Sequence, residues 1–243
     1  MPEGVEVMPP GPELAGVLAS VGPATLAGED TVTFMQAQYR QCAYQNAQLL
    51  RSMVEVGLAG APKSVERMTC PPEFAPDEIR AALGLTRTSA TMQLMLAWDL
   101  YDRLPDVLAR MEQGILDLPR ARILSEWTAD LRPDAARAVI AAILPRAHLL
   151  TTGALAAEGK MLAIAVDPGF AERRYRTAIT GRKVLARRNP DGSANLGVYD
   201  APADEVGAAS AFVQAMAHAV KRGGHPGKVD AIRADLGSVR RSV

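Results

Sequence analysis

Glu78-Ile79-Arg80-Ala81-Ala82-Leu83-Gly84-Leu85-Thr86-Arg87-Thr88-Ser89-Ala90-Thr91 reads as a short helix, a glycine turn and a second helix opened by a threonine cap. Pro76-Asp77-Glu78 is a good start for the first helix, because acidic side chains favour the exposed amides of a first turn. Gly84 supplies the turn, and Thr86 or Thr88 caps the second helix. That helix is expected to run through Met92, Leu94, Met95, Ala97 and Leu100 to a break before Pro105. Two helices joined by a tight turn are the usual means of placing a helix in a DNA groove. Residues 77–97 therefore set both the expected fold and the expected function.

Working outward, the pattern stays helical. A long helix is expected from Thr33 to Leu58, with apolar side chains at Phe34, Ala37, Cys42, Ala43, Ala47, Leu49, Leu50, Val54 and Val56 and a stop at Gly60 and Pro62. Pro62, Pro71, Pro72 and Pro76 deny residues 61–77 a stable helix. Further helices are expected over Pro105 to Gln113, from Leu118-Pro119 past Trp127, from Pro133 to Leu144, and from Thr151 or Thr152 to Val166. The period then changes. Lys183 to Arg188 and Ser193 to Val198 are extended segments around the turn sequence Asn189-Pro190-Asp191-Gly192, with Ala194, Leu196 and Val198 on one face, and so predict a β-hairpin over 183–198. An alanine-rich helix follows from Ala203 to Val220, and then a basic tail. The expected fold class is mainly α: a multi-helix bundle with a helix-turn-helix-like unit and one β-hairpin in the C-terminal half. Residues 1–32, acidic and opening with a Pro- and Gly-rich dozen, are expected to be a flexible leader. The helical regions are expected to divide into 33–150 and 151–243.

The charge is balanced overall, with 27 basic and 27 acidic residues, but unevenly placed. Residues 1–34 hold Glu3, Glu6, Glu13, Glu29 and Asp30 with no basic residue, whereas 173–188 hold Arg173, Arg174, Arg176, Arg182, Lys183, Arg187 and Arg188 with no acidic one. Such an asymmetry orients a protein on a polyanion, and salt weakens it. Cys42 and Cys70 are too few for a disulfide framework and are expected to be reduced, partly buried thiols. No secretory signal or bilayer-spanning stretch is apparent, so a cytoplasmic protein without membrane contact is the expectation.

Nearly the whole chain, about residues 35–236, resembles an actinobacterial family called the domain of unknown function 222, or 13E12 repeat family. The resemblance is carried by Leu83-Gly84-Leu85-Thr86, Leu104-Pro105-Asp106-Val107-Leu108 with Gln113-Gly114-Ile115, Asn189-Pro190-Asp191-Gly192, and Arg233-Ala234-Asp235-Leu236. Many members of that family continue into an HNH endonuclease domain. This chain holds only His148, His218 and His225 and lacks that constellation and its cysteine pairs, so the resemblance implies a DNA-binding or assembly role beside a nuclease or mobile element rather than cleavage. A shorter stretch is similar to the helix-turn-helix region of ParB-type chromosome-partition proteins: Ile79 through Leu94, Leu104-Pro105-Asp106-Val107 and Glu112-Gln113-Gly114-Ile115-Leu116 through Arg120-Ala121-Arg122. It departs at Arg80, where such units keep a small side chain against the second helix.

The residues expected to contact a duplex fall in two groups. Thr86, Arg87, Thr88, Ser89, Thr91 and Gln93 offer hydroxyls and a helix N-terminus to phosphates, with Arg87 or Gln93 reaching base edges. Arg173, Arg174, Arg176, Arg182, Lys183, Arg187 and Arg188 are expected to track the phosphate backbone, although hairpin alternation splits Lys183 and Arg187 from Arg188. Met92, Met95 and Met111 are assigned to packing. Trp98 is assigned to the core and Asp99 and Asp102 to the surface, because no further partners complete a catalytic or metal site around them. No phosphate loop, dinucleotide fingerprint or nucleophile elbow appears. The expected function is non-catalytic binding of double-stranded DNA, with no cofactor or metal. The alternative is a protein-interaction or scaffold module forming a homo-oligomer through its alanine-rich helices.

Overall fold

Prolines and short polar side chains place the helix starts, and a computed structural model shows the result over residues 2–59 and 67–237. Among these residues there are eleven α-helices: α1 Pro12–Ser20, α2 Glu29–Leu58, α3 Ala75–Leu83, α4 Arg87–Trp98, α5 Pro105–Glu112, α6 Leu118–Thr128, α7 Pro133–Ile143, α8 Thr152–Val166, α9 Phe170–Thr180, α10 Ala203–Arg222 and α11 Val229–Gly237. Two strands, β1 Lys183–Arg188 and β2 Ala194–Tyr199, form the hairpin. Proline occupies the first turn of α1, α3, α5, α6 and α7, where the missing amide costs nothing. Asp117 caps α6 by accepting from the Arg120 amide at 2.8 Å, and Thr151 caps α8 by accepting from the Ala154 amide at 3.2 Å. The Asp117 carboxylate also accepts from the Tyr39 hydroxyl on α2 and thereby pushes that phenol above its ordinary pKa.

The chain divides into two compact units, residues 1–170 and 171–243. In the first, the C-terminal half of α2 buries Leu50, Met53, Val54 and Leu58 against Leu94, Leu100, Leu108, Met111, Leu124, Ile143 and Leu155 from the helices that follow. Gly57 lets α4 approach α2, since a Cβ there would stand 3.2 Å from Leu94 Cδ1 and from Pro71. A smaller core joins Leu131, Ala136, Val139, Ala163 and Phe170.

Several expectations are corrected. Residues 1–32 are not a flexible leader: Val5, Leu14 and Leu18 are buried with Phe34 and Ala37 of α2, and the Val5 carbonyl accepts from Arg40 at 2.6 Å. The low hydrophobicity of the first dozen residues concealed the amphipathic α1 behind them. The division at 150/151 moves to 170/171, because α8 packs on α6 and α7. Cys42 and Cys70 are exposed, not partly buried. The expected stop at Gly60 and Pro62 and the end of the basic tail lie outside the described residues.

Between α4 and Pro105 the chain makes one π-helical turn, Asp99–Arg103, in which the Leu104 amide donates to the Asp99 carbonyl at 3.0 Å. Asp99 is not a surface carboxylate. It accepts from Arg103 at 2.5 and 2.8 Å and from the Ser125 hydroxyl at 2.5 Å, and Arg103 donates to the Thr128 carbonyl at 2.9 Å. This half-buried network ties the wide turn to α6.

The second unit is α9, the hairpin, α10 and α11. The ladder runs without a bulge from Lys183 opposite Tyr199 to Arg188 opposite Ala194. One face therefore carries Lys183, Leu185, Arg187, Asn195 and Tyr199, and the other Val184, Ala186, Arg188, Ala194, Leu196 and Val198. Both faces are largely exposed.

Candidate nucleic-acid interface

The helix-turn-helix-like unit forms as its sequence dictates. Gly84 adopts the left-handed conformation (φ 65°), and the Leu85 amide closes on the Arg80 carbonyl at 3.1 Å, ending α3. Thr86, not Thr88, caps α4: its Oγ1 accepts from the Ser89 amide at 3.1 Å. Ala75 and Ile79 of α3 and Ala90, Leu94 and Ala97 of α4 are buried in the same core. Arg80 stays exposed and pairs with Asp77 at 3.6 Å, so it does not hold the two helices apart. Asp77 also draws Arg87, whose Nε lies 3.9 Å away.

A groove of about 910 Å³ lies between α4 and α6. Thr86, Thr88, Ser89 and Gln93 line it, and the Gln93 amide donates to the Ser89 hydroxyl at 3.1 Å. Thr91 points elsewhere, into a hollow of about 320 Å³ beside Pro71 and Pro76. Helical periodicity separates these residues: positions 86, 89 and 93 fall together, and 91 lies half a turn away. Met92 and Met95, assigned to packing from sequence, instead lie exposed along this groove (67% and 66%), while Met111 is buried. The α4 ridge that faces outward is thus Thr88-Met92-Met95, which offers one hydroxyl and two thioethers where base readout needs donors and acceptors. Arg122 on α6 adds a cation to the groove, and Asp99 and Glu126 add carboxylates.

The basic cluster lies in the second unit and is split by its elements. On α9, Arg173 and Arg176 are one helical turn apart and exposed, and Arg176 donates to Glu172 at 2.7 Å. Arg174 is half-buried on the opposite side from Arg176. Arg182 donates to the Ile179 carbonyl at 2.9 Å. Lys183 and Arg187 share the hairpin face that carries Asn195, and Arg188 projects from the other. Side-chain hydrogen bonds close the hairpin end. Asp191 accepts from the Ser193 hydroxyl and amide at 2.7 and 2.9 Å, which holds its carboxyl below the usual range. Asn189 donates to the Ser193 hydroxyl at 2.8 Å, and Gly192 takes the positive φ (86°) that the turn requires.

The division into units exposes a charge separation that the sequence alone conceals. Residues 1–170 hold 14 Lys and Arg against 20 Asp and Glu, a net charge of −6, whereas 171–243 hold 13 against 7, a net charge of +6. Reading windows of sequence found the cluster at 173–188 but not the unit boundary that makes the whole C-terminal body cationic. No group of three or more His, Cys, Asp or Glu side chains positioned for a metal occurs among the described residues, and no described helix is long and apolar enough to cross a membrane.

No curated protein and no solved structure matches the chain. The family model described as "Domain of unknown function (DUF222)" matches residues 31–239, a span that contains the helix-turn-helix-like unit, the hairpin and α10 alike. The chain therefore belongs to the DUF222 family.

Proposed function

We propose that this protein is a non-catalytic duplex-DNA-binding module, an accessory to a nuclease or mobile-element system, in which the C-terminal unit makes most of the phosphate contacts. The observation that carries the reading is the concentration of a +6 charge in residues 171–243, with Arg173, Arg176, Lys183, Arg187 and Arg188 all exposed. A two-stranded ribbon fits the major groove. The hairpin face bearing Lys183, Arg187 and Asn195 supplies two cations for phosphates and an amide able to pair with a base edge. The α4 residues contribute less, because Asp77 sits beside Arg87 and the surrounding unit is acidic.

Fluorescence anisotropy against labelled duplexes of random sequence, repeated over a salt series, tests the reading. Binding is expected to weaken linearly on a log–log plot against salt, and Arg187→Ala is expected to reduce that slope by about 1. Arg87→Ala is expected to change it less. Absence of binding at low salt overturns the proposal, and so does binding that no substitution in 173–188 alters.

A further inference from the structure

The second hairpin strand carries a glycine, Gly197, without the positive φ that makes glycine necessary at Gly192. The reason is space. A Cβ at Gly197 would stand 2.8 Å from Cε2, 3.1 Å from Cζ and 3.0 Å from the hydroxyl oxygen of Tyr199, closer than such atoms approach. The phenol ring therefore leans back along β2 and fills the place that a side chain at 197 would take. Gly197 is half-buried beneath it, whereas Tyr199 itself stays 50% exposed. One side of the ring rests on the strand and the other is open.

The register sets what surrounds the open side. Lys183 pairs with Tyr199, Leu185 with Gly197 and Arg187 with Asn195, so all six share one face of the ribbon. No carboxylate stands among them. Lys183 and Arg187 are separated along β1 by about 13 Å at the usual rise of a strand, and position 197, under the ring, lies midway between them on the neighbouring strand. Two cations along a backbone with an aromatic ring between them are the combination by which proteins hold a single strand, the phosphates on the cations and a base on the ring. A continuous duplex cannot use the ring, because its bases stack on one another and present only their edges. An unpaired base can. Lys183 and Arg187 alone do not distinguish the two forms, since both carry the same phosphates.

We propose that Tyr199 stacks on an unpaired base, so that this hairpin face prefers DNA with a locally opened strand to continuous duplex. The inference rests on the DNA-binding reading above and names the form of DNA. Anisotropy of the full chain against a labelled duplex, and against the same duplex with a central run of mismatches, compares targets of equal length and charge. The wild-type chain is expected to bind the mismatched duplex at least about fivefold more tightly, the lower end of what one base stacked on an aromatic side chain contributes. Tyr199→Phe is expected to keep that preference, because the ring and not the hydroxyl makes the contact. Tyr199→Ala is expected to lose it, and Gly197→Ala, which displaces the ring without changing any charge, to reduce it. A fluorescent aminopurine among the mismatches reads the stacking directly: its emission is expected to fall on binding the wild-type chain and not on binding Tyr199→Ala. Salt-dependent binding with equal affinity for the two duplexes overturns this inference and leaves the DNA-binding reading standing, as does a preference that Tyr199→Ala retains. Absence of binding to either duplex at low salt overturns both.

Discussion

Residues 1–170 and 171–243 are both largely helical, yet they bury very different things. Among the described residues the first unit hides 34 hydrophobic side chains and the second hides two, Ala217 and Ile232. The second unit exposes Val184, Leu185, Leu196, Val198, Tyr199, Val206, Phe212, Met216 and Val220 instead. Burial of apolar area is the main term opposing the entropy of ordering a chain. A two-stranded hairpin exposed on both faces has little of it. The contrast teaches that most of the buried apolar surface lies in the N-terminal unit, whereas the C-terminal unit leaves most of its large apolar side chains exposed.

The sharpest way to break that contrast is truncation in each unit. Leu124→Ala, in the main core, is expected to cost about 2–5 kcal/mol in urea unfolding, through lost transfer energy and an unfilled cavity. Phe212→Ala is expected to stay within about 0.5 kcal/mol in the same measurement, as for a surface position. Equal losses would mean that the second unit is as well packed as the first. Asp99→Ala is expected to cost about 2–3 kcal/mol, because it strips Arg103 and Ser125 of a charged acceptor where water reaches them poorly. Thr86→Ala removes the α4 cap and is expected to cost about 1 kcal/mol by the same measurement.

The smallest effect separates the units by pH. The Asp191 carboxyl is held below its ordinary value by Ser193, so its contribution to the hairpin turn is fully present above the unfolded carboxylate value of about 3.9. It is lost as pH falls through the lowered folded value. Two-dimensional amide spectra over an acid titration are expected to show the Ser193 and Asn189 resonances shifting below that range, before the core resonances of α6 broaden. Simultaneous loss would mean that hairpin and bundle unfold as one.

Most helices were legible because their signals are local. Pro105, Pro119 and Pro133 mark starts, Gly84 and Gly114 mark turns, and Asn189-Pro190-Asp191-Gly192 marks the hairpin, each through backbone conformations that need no tertiary partner. α1, α9 and α11, the last within the expected tail, were missed. The first was masked by the Pro- and Gly-rich residues before it, and the second, with Arg173, Arg174 and Arg176 in eleven residues, presents charge rather than an apolar stripe. Met92 and Met95 were misassigned because residue type was weighed over period: Met92 stands two residues from both Ala90 and Leu94, on the opposite side of the helix from the buried face. Only the position of α6 leaves them lining a groove. Asp99 and Arg103 carried a signal, four residues apart, but their partners Ser125 and Thr128 arrive from another helix.

By itself the sequence determined most of the helix starts, the hairpin turn and the family, because these depend on φ preferences, missing amides and side-chain periods of a few residues. Tertiary structure decided the rest. It set which methionines are buried, that Val5 and Leu14 anchor the N-terminus, that α8 joins the first unit, and that the charges segregate into −6 and +6. Each of these depends on which distant segment supplies the facing surface, and neither local propensity nor residue spacing encodes that choice.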